Sequence, residues 1–201
     1  MNSTTAPAPA HVAEAPLALD ECLGYHDRVP LLWQPLAAMP SAAQLAQWQD
    51  HNLRLLAAAA LLDERPRRAE ADEPLAGEVE RLHHKFDLML DLLGALLRQQ
   101  APLPSAVAAR ITPQGLSWLS DTAPAPGALI LLHLHLHPGL PSALLWPSEA
   151  LAAVTGEAAA RFLSLGESCA LAMERHVFVR HRRSVADARS PAGRGETGAA
   201  Q

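Results

Sequence analysis

Cysteine is almost absent from this chain. Its two copies, Cys22 and Cys169, lie far apart with no Cys-x-x-Cys spacing, which excludes a disulfide framework and a zinc finger and fits a reducing compartment. Aromatic residues are sparse at 4%, while Ala and Leu dominate a hydrophobic fraction of 49%, a balance that favours helices over a large all-β body. No apolar run approaches the length of a membrane span, and the first sixteen residues are polar, Ala and Pro with no positive n-region, so a cytoplasmic protein is expected. Excess positive charge is also lacking: the net charge of −5 gives no basic field to hold nucleic acid by counterion release. Missing too are a Gly-x-Ser-x-Gly elbow, a His-Glu-x-x-His helix, a Walker loop and a Rossmann glycine set. Cys169 and His176 are separated by about 10 Å along a predicted helix, beyond hydrogen-bond reach. No enzyme and no cofactor are expected.

What the chain does have is a heptad seam. Leu75, Val79, Leu82, Phe86, Met89, Leu93 and Leu96 recur at alternating spacings of four and three, placing them on one stripe of a helix. Leu88, Leu90, Leu92 and Leu97 widen the apolar surface beyond a two-stranded seam, so a second partner surface is expected. Upstream, Ser41 is an N-cap opening a helix to about Leu62 in which Leu45, Trp48, Asn52, Leu55, Ala59 and Leu62 repeat the three-four spacing. Asn52 in that stripe either fixes coiled-coil register or sits solvated at its rim. With Pro66 breaking the intervening charged loop, two antiparallel heptad helices are expected, joining chains to one another.

The other segments read differently. Residues 1–18 and 190–201 cannot bury enough apolar surface to be ordered. Residues 19–40 contain the extended stretch Tyr25 to Leu36, whose Pro30 and Pro35 confine it to a sheet edge or a surface strap, and the heptad pair occupies 41–100. From 101 to 189 the period changes. Val107 to Ser120 reads as two strands about a Pro-Gln-Gly turn; Ala128 to His137 is a strand with Leu132, Leu134 and Leu136 on one face and His133, His135 and His137 on the other. Short strands follow within Leu145–Val154 and Ala159–Leu165. A last helix after Gly166 and Glu167 is expected to cap the sheet, with Leu171, Phe178 and Val185 at sevenfold spacing. The fold class is α+β: a small antiparallel β unit with a C-terminal helix, plus two long heptad helices. Trp48 and Trp118 are expected to be buried.

A strand, a loop ending in Thr-Pro-Gln-Gly-Leu, a returning Ser-Trp-Leu strand, a Leu-rich strand and a Phe162-led helix together resemble a PilZ domain over residues 101–185. Leu-Gly-Tyr-His-Asp-Arg-Val-Pro-Leu-Leu-Trp and His84-Lys85-Phe86-Asp87-Leu88-Met89-Leu90 are similar to the atypical branch that carries long heptad helices. The resemblance implies a six-stranded barrel, a non-enzymatic role in bacterial cyclic di-GMP signalling, assembly into a tetramer through the helices, and a protein partner in motility, type IV pilus function or virulence. It also implies two ligand motifs, Arg-x-x-x-Arg and Asp/Asn-x-Ser-x-x-Gly. No two arginines here are four apart, and the second motif survives only as Arg110-Ile111-Thr112-Pro113-Gln114-Gly115.

The motif changes alter the chemistry at both ends. A bis-phosphate needs a guanidinium fork, and Arg110 stands where an acceptor is required but is a donor only. Three readings remain: an adaptor that binds proteins and not cyclic di-GMP in the usual way; a cyclic di-GMP receptor with an altered site at Arg110, Thr112, Gly115 and Arg28; and a metal-binding module on the His133, His135 and His137 face. Same-face residues on a strand are nearly 7 Å apart, too open for a compact three-imidazole site without convergence.

Overall fold

Alternation of apolar and polar residues builds six strands that close on themselves in the order β1-β2-β3-β6-β5-β4, every pairing antiparallel. They are β1 (Tyr25–Pro35), β2 (Ala106–Thr112), β3 (Gly115–Leu119), β4 (Leu129–Leu134), β5 (Leu144–Leu151) and β6 (Glu157–Phe162). Among the described residues three long helices accompany them: α1 (Ala42–Asp63), α2 (Ala76–Gln100) and α3 (Glu167–Arg189). This computed structural model describes residues 19, 22–63, 76–100, 103–137, 140–152 and 156–189. The expectations for 1–18 and 190–201, and the seam residue Leu75, lie outside the described residues.

The prolines of β1 do not confine it to an edge. β1 pairs with β2 up to Pro30 and with β4 from Leu31 onward, so the missing N–H of Pro30 falls where the ladder changes partner. Its carbonyl still accepts from the backbone N–H of His135 at 3.1 Å. The barrel interior holds Ile111, Leu116, Ile130, Leu132, Leu134 and Leu144, all essentially without solvent exposure. Trp48, Trp118 and Trp146 are buried as well, Trp146 stacking on Phe162 at 4.6 Å between ring centroids.

The helices pair otherwise than their periodicity suggests. Among the described residues α1 packs mainly against β5 and α3, with at most a marginal contact to α2. Its buried residues are Trp48, Asn52, Leu56 and Ala59, with Leu45 and Leu55 partly buried against the same core. The three-four spacing therefore marks a face turned toward the chain's own barrel. Asn52 is neither a register residue nor a solvated one: fully buried, it donates from Nδ2 to the Leu145 carbonyl at 3.0 Å and accepts from the Leu145 N–H at 2.9 Å. β6 pairs with β5 only from Ser148 onward, so Leu145 has no strand partner on that side, and the Asn52 amide takes the partner's place.

α3 closes the barrel with Cys169, Met173, His176 and Val177. The sevenfold set is wrong for this purpose: Leu171 is 65% exposed and Phe178 50%. A stripe that includes buried polar groups was invisible to an apolar count.

α2 stands apart. Among the described residues no element packs along it, and Val79, Leu82, Phe86, Met89, Leu93 and Leu96 all remain exposed, from 46% at Val79 to 66% at Met89. At 1.5 Å per residue the stripe runs for about 25 Å along the helix. No helix among the described residues is long and apolar enough to cross a membrane.

Candidate functional site

The β2–β3 hairpin carries the altered motif, and its residues are engaged within the chain. Thr112 is fully buried; its Oγ1 accepts from the Gly115 N–H at 3.1 Å and donates to the Gly115 carbonyl at 2.9 Å, closing the two-residue Pro113-Gln114 turn. Gly115 is obligatory for close approach, since a Cβ there would stand 2.2 Å from the Ala160 carbonyl oxygen of β6. The same added atom would also meet Leu19 Cδ2 at 3.1 Å, so the segment entering β1 lies over the hairpin.

Arg110 fixes that strap. Its guanidinium donates from Nη1 to the Leu19 carbonyl and from Nη2 to the Cys22 carbonyl, the latter at 2.7 Å. Next along the chain, Gly24 passes so near β2 that a Cβ would come within 2.9 Å of the Ile111 carbonyl oxygen, while its own carbonyl accepts from His181 Nδ1 of α3 at 2.7 Å. A donor-only side chain at the motif's acceptor position thus finds acceptors in the chain's own backbone.

Arg28 and Arg110 project from neighbouring strands and line one shallow cavity of about 600 Å³ with His26, Ser117 and Glu157. Arg28 donates to the Ala106 carbonyl at 3.1 Å. The cavity mixes both signs of charge, because Asp27 and Glu157 share it with the arginines. It brings two guanidinium groups to one place without pairing them into a fork.

A charge network joins α3 to β1 and to the end of α1. Arg180 of α3 bonds Asp27 of β1 and reaches Asp63 at the end of α1, and Arg183 meets the same Asp63 carboxylate at 2.8 Å. Beside it the Tyr25 hydroxyl lies 3.0 Å from His176 Nε2. Burial drives the His176 pKa down from 6.5 to about 4, so the ring is neutral at physiological pH and shares a hydrogen bond with the phenol. Burial likewise pushes the Cys169 thiol up to about 11, against a weaker opposing bond from Asn52. Neither Cys169 nor His176 is poised for nucleophilic chemistry. The arginines lie on one helix, but their acids come from two distant segments, and no pattern in one segment joins them.

The histidine strand does not assemble a metal site. His133 Nε2 pairs with the Gln34 amide at 2.8 Å, and burial lowers the pKa of both His133 and His135. No group of three His, Cys, Asp or Glu among the described residues is placed to hold a metal ion, although His135 Nδ1 is buried without a partner there.

A closed six-stranded antiparallel barrel followed by a capping helix, with the altered motif on its β2–β3 hairpin, is the architecture that the PilZ resemblance implies. The family model described as atypical PilZ domain, cyclic di-GMP receptor, matches residues 53–190, and the chain belongs to this family. Among solved structures the chain is similar to a pathogenic protein from Xanthomonas campestris described as a new tetrameric PilZ domain self-assembled via an unusual helical bundle. The two are 26% identical, with a TM-score of 0.62, over 84% of this chain and 96% of that one. A search of curated proteins finds no significant match.

Proposed function

We propose that this chain is a non-enzymatic adaptor of cyclic di-GMP signalling, assembled as a tetramer through α2, that acts in the cytoplasm by binding other proteins and does not take cyclic di-GMP in the usual way. The observation that carries this reading is Arg110. The residue that should face ligand instead holds the carbonyls of Leu19 and Cys22, so the chain's own strap covers the motif. The assembly rests on an apolar stripe of α2 that is exposed among the described residues, and on the helical-bundle tetramer described for the Xanthomonas relative. That relative's description as pathogenic also favours virulence among the processes such an adaptor would serve.

A second reading has its own support. The family is described as a cyclic di-GMP receptor, and Arg28 and Arg110 share a cavity. Calorimetric titration with cyclic di-GMP, on wild type and Arg110→Asp, separates the two. Heat no greater than dilution in the wild type supports the adaptor. Saturable wild-type binding that Arg110→Asp abolishes replaces it with a receptor in which the strap gives way and Arg110 meets phosphate.

A further inference from the structure

Between the last three turns of α1 and the first five of α3 the described residues form a groove of about 660 Å³. Its floor is apolar and low: Leu56, Ala57, Ala60, Ala172 and Val179. Leu61 and Leu171 rise at its margins, 70% and 65% exposed. Small residues below and large apolar ones beside them form a trough shaped for a rod-like occupant.

The walls decide what kind of rod. Both are α-helices whose backbone groups are already bonded, so the groove offers no ladder to an extended strand. A peptide buried there must satisfy its own N–H and C=O groups, which selects a helix. From Leu53 to Asp63 the α1 wall is about 15 Å long, enough for roughly three turns.

Charge decides its chemistry. Asp63 is the groove's one carboxylate among the described residues, and Arg180 and Arg183 hold it. His176 is neutral, and Arg175 on the margin is exposed and makes no ion pair among the described residues. The surplus is positive. We propose that the α1–α3 groove is the docking site for a partner protein's short acidic amphipathic helix, with leucine-sized anchors on the floor and a carboxylate against Arg175.

This assignment rests on the adaptor reading, but the groove and Arg110 are read by different ligands, so each can fail without the other. The test uses the full chain and two fluorescein-labelled synthetic helical peptides of about three turns. Both carry leucines at i, i+3, i+4 and i+7; glutamate fills the remaining positions in one and lysine in the other. Anisotropy should rise saturably with the glutamate peptide and little with the lysine peptide. Ala60→Trp, an exposed position whose larger side chain fills the trough, should abolish the rise while leaving the circular dichroism melt unchanged. Arg175→Glu should weaken the glutamate peptide about five-fold and favour the lysine one. Absence of saturable binding, equal binding of the two peptides, or an unaffected Ala60→Trp would each overturn the proposal. So would a change in particle mass in Ala60→Trp, which would make the groove a contact between copies of this chain.

Discussion

Asn52→Ala is the substitution on which the description of α1 stands or falls. The Asn52 amide is fully buried and meets both polar groups of Leu145, on the side where β6 does not reach β5. Alanine removes both bonds and leaves a buried N–H and a buried C=O unsatisfied, each costing about 1–3 kcal/mol. The expected destabilisation is thus about 2–6 kcal/mol, a large share of the roughly 5–15 kcal/mol that ordinary domains possess. Asn52→Asp should be no better at neutral pH, since it keeps the acceptor for the N–H but sets an oxygen against the Leu145 carbonyl and buries a charge. Urea unfolding of wild type and both variants, at one fixed protein concentration because assembly shifts apparent stability, measures the loss. An asparagine fixing register in a seam between chains behaves oppositely: Asn52→Leu would then stabilise the particle and change its mass. A loss below about 1 kcal/mol in Asn52→Ala would refute the clamp.

The remaining predictions address the seam, the hairpin and the charge network. Phe86→Glu should reduce the particle to the mass of one chain in light scattering, because a charge in an apolar seam loses its hydration without gaining a partner; an unchanged mass would remove α2 from the assembly. Gly115→Ala should prevent soluble folding or lower the melting temperature sharply, since the Ala160 carbonyl 2.2 Å from the new Cβ is backbone and cannot swing aside; a wild-type melt would show that β6 can shift. His176 stays neutral in the folded chain down to about pH 4 but takes a proton near 6.5 when unfolded. Stability should therefore be full above pH 6.5 and fall as pH drops toward 4, by about 3 kcal/mol at most. The nearby charges of Arg180, Arg183, Asp27 and Asp63 are common to wild type and His176→Gln, so the variant should lose this slope; equal slopes would refute the assignment.

Much of the barrel was legible because strand alternation and turn chemistry are local. The pattern Thr112-Pro113-Gln114-Gly115 marks its own hairpin, and Leu132 and Leu134 declare the inner face of β4 without reference to anything else. The seam on α2 was legible for the same reason. Local pattern gives a face, however, and not what lies against it. Leu45, Trp48, Asn52 and Leu55 have the spacing of a coiled coil and the environment of a barrel flank, since both require only one apolar stripe. The strap was harder still. Arg110 departs from the family motif visibly, but that its new partners are the carbonyls of Leu19 and Cys22 follows only from β1 lying beside β2.

The misreading of α3 has a more useful consequence. Its barrel-facing stripe holds Cys169, Met173, His176 and Val177, three of them polarizable or titratable, so the more apolar Leu171 and Phe178 looked like the better core. Folding leaves both outside. Neither large apolar side chain fills the core, so what each touches outside it matters. Phe178 meets the Arg182 guanidinium, 5.8 Å from its ring centroid. Leu171 stands on the margin of the α1–α3 groove beside Arg175. The residue that periodicity assigned to the core is the one whose exposure the docking of an amphipathic helix would explain.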